Sequence, residues 1–204
     1  MSDCRRNVLL GLTGSVASVK AEETVSLLKQ FGFNVKVIAT ENALHFFDKS
    51  KLDVPIFTDR DEQKYWKQRG DPVLHIELKN WADIFLIAPL SANTLAKIAG
   101  GHCDNLLTCT ARAWYFRGQT SQGKKIGIFA PAMNTSMWDH PLTLQHVDIL
   151  CNTLNWIMIE PITKKLMCGD VGKGAMEEPH KIVDFIQKKI EIKLMPQKKQ
   201  MCMP

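Results

Sequence analysis

The chain has 204 residues, 45% of them hydrophobic and 23% charged. That composition excludes a disordered or fibrous protein, and the length suits one domain that buries a core without disulfide staples. The formal net charge is +5, but residues 188–204 carry five lysines and one glutamate, which leaves +1 for the body. A body so close to neutral lacks the charge to follow a phosphate backbone, so no nucleic-acid partner is expected.

Six cysteines stand at positions 4, 103, 109, 151, 168 and 202, with no CxxC pair and no zinc-type His/Cys spacing. No metal is therefore expected. The opening MSDCRRN is polar rather than signal-like, and no apolar run reaches the ~20 residues of a spanning helix. Ser2 replaces the glycine that myristoylation needs, and Cys202 has too short a tail for prenylation. The expectation is a reduced, cytoplasmic protein without a membrane partner.

Strand-like and helix-like segments alternate along the chain. Asn7–Leu12 is a short apolar run that reads as a buried strand, followed by a turn at Thr13-Gly14-Ser15. A helix is predicted from Val16 to Phe31, with Gly32 stopping it. Val35–Ala39 is a second strand, and Thr40 is placed to cap a short helix through Phe47. Residues 48–72 read as a long polar excursion. Ile84–Ala88 is the most hydrophobic strand, with Pro89 expected to end it and a helix following from Ala92 to Ala99. Leu106–Ala113 reads as helix, Ile126–Ala130 as strand, Pro141–Leu154 as helix, Trp156–Ile159 as strand and Glu178–Ile192 as the last helix. The pattern predicts an α/β fold, a doubly wound parallel sheet in a flavodoxin- or Rossmann-like three-layer sandwich. It also predicts a single domain over 1–192 and a basic tail over 193–204.

In such sheets ligands bind beyond the carboxyl ends of the strands. The turn Gly11-Leu12-Thr13-Gly14-Ser15-Val16 has neither GxGxxG nor GK[ST]; its glycines admit close backbone approach and its helix start suits a phosphate, or it is a tight β-α turn with no ligand. Thr40-Glu41-Asn42 offers hydroxyl and amide groups for a ribityl chain, a sugar or a phosphate, or simply a helix cap. Ser91, Asn93 and Thr94 crowd the next turn, where a cap needs one of them. After the Ile126–Ala130 strand come Ala132, Met133, Asn134, Met137 and Trp138. Asn134 suits a carboxylate or amide, and the methionines with Trp138 suit either a planar cofactor or the core. His75, between apolar neighbours, is a candidate acid–base group or a structural histidine. Cys168, followed by three glycines at 169, 172 and 174, reads as a thiol on a mobile loop, either a proton donor or inert.

In order and spacing these stretches resemble the flavin-dependent cysteine decarboxylases. The match rests on Gly-Ser-Val-Ala at 14–17, Asp-Pro-Val-Leu-His-Ile-Glu-Leu at 71–78, Ala-Pro-Leu-Ser-Ala-Asn-Thr at 88–94, Pro-Ala-Met-Asn at 131–134, Met137-Trp138 and Cys168-Gly-Asp. It spans Val8 to about Met176, and the eukaryotic single-domain members are the nearest in pattern. The resemblance implies FMN held by Gly14, Ser15, Val16, Thr40, Glu41, Asn42, Ser91, Ala92, Asn93, Thr94 and Ala132. It implies His75 and Cys168 as catalytic groups. It places Asn134, Met137, Lys164, Lys165, Ala175 and Met176 against the substrate, 4′-phosphopantothenoylcysteine, in a homotrimer.

The implied chemistry turns the cysteinyl carbon beside sulfur into a thioaldehyde, an electron sink that lets carbon dioxide leave; the resulting enethiolate is then reduced to 4′-phosphopantetheine. His75 would assist the first deprotonation, Asn134 would hold the leaving carboxylate, and Cys168 would give the last proton. Two other roles within the resemblance stay open: another flavin enzyme of this fold, such as a prenyltransferase or peptidyl-cysteine decarboxylase, and a halotolerance-type inhibitory subunit of a protein phosphatase. The long acidic extensions of the inhibitory relatives are absent here. Residues 115–125 are longer than the family pattern and are expected to form a surface insertion.

Overall fold

Apolar residues on both faces of a strand allow helices to cover it twice, and the sheet is built that way. The computed structural model describes residues 6–115, 119–120, 123–165, 169 and 171–194. β1 (Asn7–Leu12) leads through a 3-10 turn at Val16–Lys20 into α1 (Ala21–Gln30). β2 (Asn34–Ala39) is followed by a 3-10 turn at Glu41–His45. The polar excursion over 48–72 contains a short strand, β3 (Ile56–Phe57), and a helix, α2 (Asp59–Tyr65). α3 (Leu74–Trp81) carries His75 into β4 (Ile84–Leu90), and α4 (Ala92–Ala99) and α5 (Leu106–Arg112) follow. A small hairpin of β5 (Gln119–Thr120) and β6 (Gly123–Lys124) precedes β7 (Ile126–Pro131). α6 (Thr135–Trp138), α7 (Pro141–Asp148), β8 (Ile157–Met158), β9 (Ile162–Lys165), β10 (Val171–Ala175) and α8 (Pro179–Leu194) complete the chain.

Six strands pair in the order β3-β2-β1-β4-β7-β8, all parallel. Side chains alternate between two cores. Val8, Leu10, Ile84, Leu86, Ile126 and Ile128 face α1 and α8. Leu9, Phe85, Ile87 and Phe129 face the other core, with Leu74 and Leu78 of α3 and Leu106 and Leu107 of α5. On that second face Gly127 leaves room for an indole: a Cβ there would lie 2.5 Å from the Trp156 ring. All seven residues of β4 are buried, as expected for the central strand of a covered parallel sheet.

Four local expectations are corrected. Pro89 does not end the strand: β4 runs through the cis Ala88-Pro89 bond to Leu90, with a register irregularity between Ile87 and Leu90 where proline lacks an N–H. Thr40 does not cap with its side chain; its N–H and hydroxyl both donate to the Leu12 carbonyl, tying β2 to β1. The stretch on either side of Cys168 is not all loop, because β9 and β10 pair antiparallel. The 115–125 segment is not wholly superficial. Lys125 at its end is 5% exposed, and its ammonium donates to the carbonyls of Lys79, Asn80 and Ala82 where α3 ends. Burial lowers its pKa, and the carbonyls of a helix C-terminus are a favourable place for a buried cation.

Candidate active site

Parallel strands put all their carboxyl ends on one edge. The chain order reverses between β1 and β4, which makes the crevice between their ends the switch point where open α/β sheets bind ligands. Thr13, fully buried, spans this crevice: its hydroxyl donates to the Pro89 carbonyl at 2.8 Å and accepts from the Ser91 N–H at 2.8 Å. Ser15 reaches one strand further and donates to the Ala132 carbonyl at 3.2 Å. Gly14 lies against the β2 loop so closely that a Cβ would stand 2.7 Å from the Asn42 Cβ. Four loops are thus joined into one rim, held by hydroxyl and backbone groups.

The predicted residues divide on this rim. Ser91 and Thr94 are buried and bonded to each other, with Ser91 Oγ also accepting from the Thr94 N–H to cap α4. Ala92 begins that helix beside them, and Asn93 is exposed. Val16, Glu41 and Asn42 are exposed at the outer side, where Glu41 pairs with Arg60 at 3.6 Å. Ala132 is buried and donates its N–H to the Leu90 carbonyl. Sequence reasoning treated Thr13 as part of a turn. Its position as the first hydroxyl directly after a buried strand was the available signal.

Asn134 caps α6, its side-chain oxygen accepting from the Ser136 N–H at 2.8 Å. The preceding residue is bonded to the β9–β10 hairpin through the Met133 N–H and the Gly174 carbonyl at 2.9 Å. Gly174 has φ 142°, and its missing side chain allows the Met133 carbonyl to lie against its Cα. Ala175 is half-buried on β10, Met176 is buried in the core with Ala132, and Met137 is about half exposed. Lys164 is engaged at 3.0 Å by Glu178, which also holds Lys20. These two ammonium groups pull the Glu178 carboxyl down to about 2. Lys165 ends β9, and Cys168 lies outside the described residues.

His75 belongs to a different grouping, on the helices of the second face. Its Nδ1 is 2.5 Å from Glu62 Oε1, each side chain being 25% exposed. Glu62 went unnoticed in the polar stretch. The Thr58-x-x-Asp61 pattern, whose carboxylate accepts from the Thr58 N–H and hydroxyl, was the signal for its helix. Asp59 on the same helix accepts from the Leu106 N–H at 2.7 Å, and burial raises its pKa. Cys109 completes the cluster; burial first, then the surrounding carboxylates, push its thiol up to about 11.

A sequence model described as Flavoprotein matches residues 2–191. The chain belongs to the Flavoprotein family. It is similar to phosphopantothenoylcysteine decarboxylase of Mus musculus, 50% identical over 181 residues that cover 88% of this chain and 85% of the mouse protein. A solved phosphopantothenoylcysteine (PPC) decarboxylase, a cysteine-to-serine mutant complexed with pantothenoylaminoethenethiol, superposes with TM-score 0.85 at 46% identity, covering 92% of this chain and 99% of that one. The FMN binding protein AtHal3 superposes with TM-score 0.82 at 46% identity, covering 92% and 98%. The six-stranded parallel sheet and its helices are the architecture of these relatives.

Proposed function

We propose that the chain is an FMN-dependent decarboxylase that converts 4′-phosphopantothenoylcysteine to 4′-phosphopantetheine and carbon dioxide, a step of coenzyme A synthesis. The observation that carries this reading is the hydrogen-bonded rim at the switch point, which runs into Asn134, in a chain half identical to the mouse decarboxylase.

The rim fits FMN in kind. It offers hydroxyls, amides and backbone N–H groups at helix starts for a phosphate, and a Gly14–Asn42 approach that keeps the cradle narrow. Gly14, Ser15, Val16, Thr40, Glu41, Asn42, Ser91, Ala92, Asn93, Thr94 and Ala132 would hold it. When bound, FMN supplies a two-electron acceptor and donor for the cysteinyl carbon that bears sulfur.

The chain's own residues do the rest. Asn134, rigidly based at a helix start, directs its amide toward the substrate carboxylate and keeps the breaking bond in register. His75 takes up the proton lost as the substrate is oxidised. Cys168 returns a proton to the enethiolate carbon. The cysteine-to-serine relative complexed with an enethiol supports that last role. Met137, Lys164, Lys165, Ala175 and Met176 surround the remainder of the substrate, with Lys164 kept in place by Glu178.

The assembly proposed is a homotrimer with FMN sites completed between neighbours. Exposed Val16 and Val19 after β1, and Met137 after β7, leave apolar side chains at the sheet edge that a neighbour would cover. Light scattering of the purified protein should give three chains per particle. A reducing, cytoplasmic compartment suits the free thiols of Cys103, Cys109 and Cys151, and cell fractionation tests it.

The direct test is anaerobic turnover of 4′-phosphopantothenoylcysteine, followed by carbon dioxide release and mass spectrometry. The expected product is 4′-phosphopantetheine, and Cys168→Ser should stop at the enethiol. A yellow protein that releases no carbon dioxide from this substrate defeats the proposal.

A further inference from the structure

We infer that Glu62 is the positioning residue for His75, fixing which ring nitrogen carries the proton. The inference rests on the reading of His75 as the group that accepts the substrate proton. Glu62 Oε1 and His75 Nδ1 stand 2.5 Å apart. A carboxylate only accepts hydrogen bonds, and a neutral imidazole donates from one nitrogen and accepts at the other. A carboxylate at Nδ1 therefore keeps the proton there and leaves Nε2 with its lone pair, which is the tautomer a base needs.

Both partners are on held backbone. Asp61 closes the start of α2, and Asp59 joins α2 to the first turn of α5. Leu74 and Leu78, each 2% exposed, anchor α3 beneath His75. The contact is made by residues 13 apart in sequence on two separate helices. Neither helix needs the pair for its own hydrogen bonds, so the pair is a constraint on the ring.

Cys109 decides between this reading and a metal site. Ligating atoms of Glu62, His75 and Cys109 lie within 4.8 Å of one another, close enough to share a cation. The Cys109 thiol, however, donates to the Cys103 carbonyl at 3.3 Å and is pushed up to about 11, so it stays protonated. A cation there would have to displace the thiol proton and break both that hydrogen bond and the Glu62–His75 contact. The cluster is a carboxylate–histidine pair with a thiol beside it.

The test uses the FMN-loaded enzyme with Glu62→Gln. Glutamine is nearly isosteric but uncharged, and its amide can meet Nδ1 with either its oxygen or its NH2, so it no longer holds the proton on Nδ1. Loss of kcat by about 10- to 100-fold is expected, a part of the ~10²–10⁴ that a positioned general acid–base group contributes. KM and flavin content should stay at the wild-type value. Nitrogen-15 correlation spectra, with the His75 signal assigned from its absence in His75→Asn, should show the Nδ1–H tautomer in the wild type and a mixture with Nε2–H in the variant. In the His75→Asn background Glu62→Gln should cost nothing more. A wild-type spectrum with the proton on Nε2 overturns the inference without any variant, as does wild-type kcat in Glu62→Gln. Stoichiometric zinc on the purified enzyme would also overturn it. Undiminished turnover by His75→Asn would instead sink the underlying reading of His75, and the tautomer spectra would still report on Glu62.

Discussion

The rim at the sheet edge and the Glu62–His75 pair are built from opposite materials. On the rim, hydroxyls and backbone groups of Thr13, Ser15, Ser91 and Ala132 bind one loop to the next, and no ionised side chain takes part in those bonds. In the α2–α3–α5 cluster the central contact joins two ionisable side chains, both partly open to solvent. Holding a large ligand calls for fixed shape, which backbone supplies. Moving a proton calls for groups that change state. Damage to the rim should therefore empty the site, and damage to the cluster should slow a filled one.

The strongest challenge to that division is His75→Asn. Carbon dioxide release should fall by at least ~100-fold, the lower bound for losing a general acid–base group, while the visible flavin spectrum persists. Loss of flavin from this variant would erase the distinction. Next is Gly14→Val, whose added Cβ would sit 2.7 Å from the Asn42 Cβ. Overpacking of about 1–3 kcal/mol should reduce FMN affinity roughly tenfold or more, measured by titrating the apoprotein with FMN. A variant that binds FMN normally would show that the β2 loop yields.

Gly127→Ala sharpens the comparison from outside. Its methyl group meets the Trp156 indole inside the second core, in contact with no residue of the rim or of the Glu62–His75–Cys109 cluster among its nearest neighbours. Unfolding stability should drop by about 1–3 kcal/mol in denaturant titration, with turnover per folded chain unchanged. The smallest effect concerns Glu178. Its folded pKa lies below the ordinary 4.5, at about 2, so its ion pairs stabilise the fold above pH 4.5 and that contribution disappears as pH falls toward 2. Glu178→Gln should lower the melting temperature slightly at neutral pH and not at all near pH 2. The group is 31% exposed, and solvent screening keeps the difference small. An equal difference at both pH values would assign the effect to packing.

The central strands were legible because a parallel strand covered on both faces reads as an unbroken apolar run, as in Ile84–Ala88. Loops after such strands could then be singled out from topology alone, and Gly14, Ser15, Ser91 and Ala132 do meet at one edge. Shorter elements were not legible in the same way. β3 has two residues, and α2 has no buried side chain, so neither leaves a periodic apolar signature. The β9–β10 pair is mostly lysine, threonine and glycine, and it is recognisable only once Gly172 and Gly174 are seen packed against Thr135 and Met133. Glu62 is informative through one neighbour in space, which spacing along the chain does not reveal.

The hydrogen bond from Met133 to Gly174 makes a single backbone amide answer for two parts of the site. Its proton can exchange with solvent only when the hairpin leaves the loop that bears Asn134. Deuterium uptake at Met133 therefore counts hairpin excursions directly. By linkage, a substrate that grips Asn134 and the hairpin together must slow that uptake by the same free energy with which the closed hairpin tightens substrate binding.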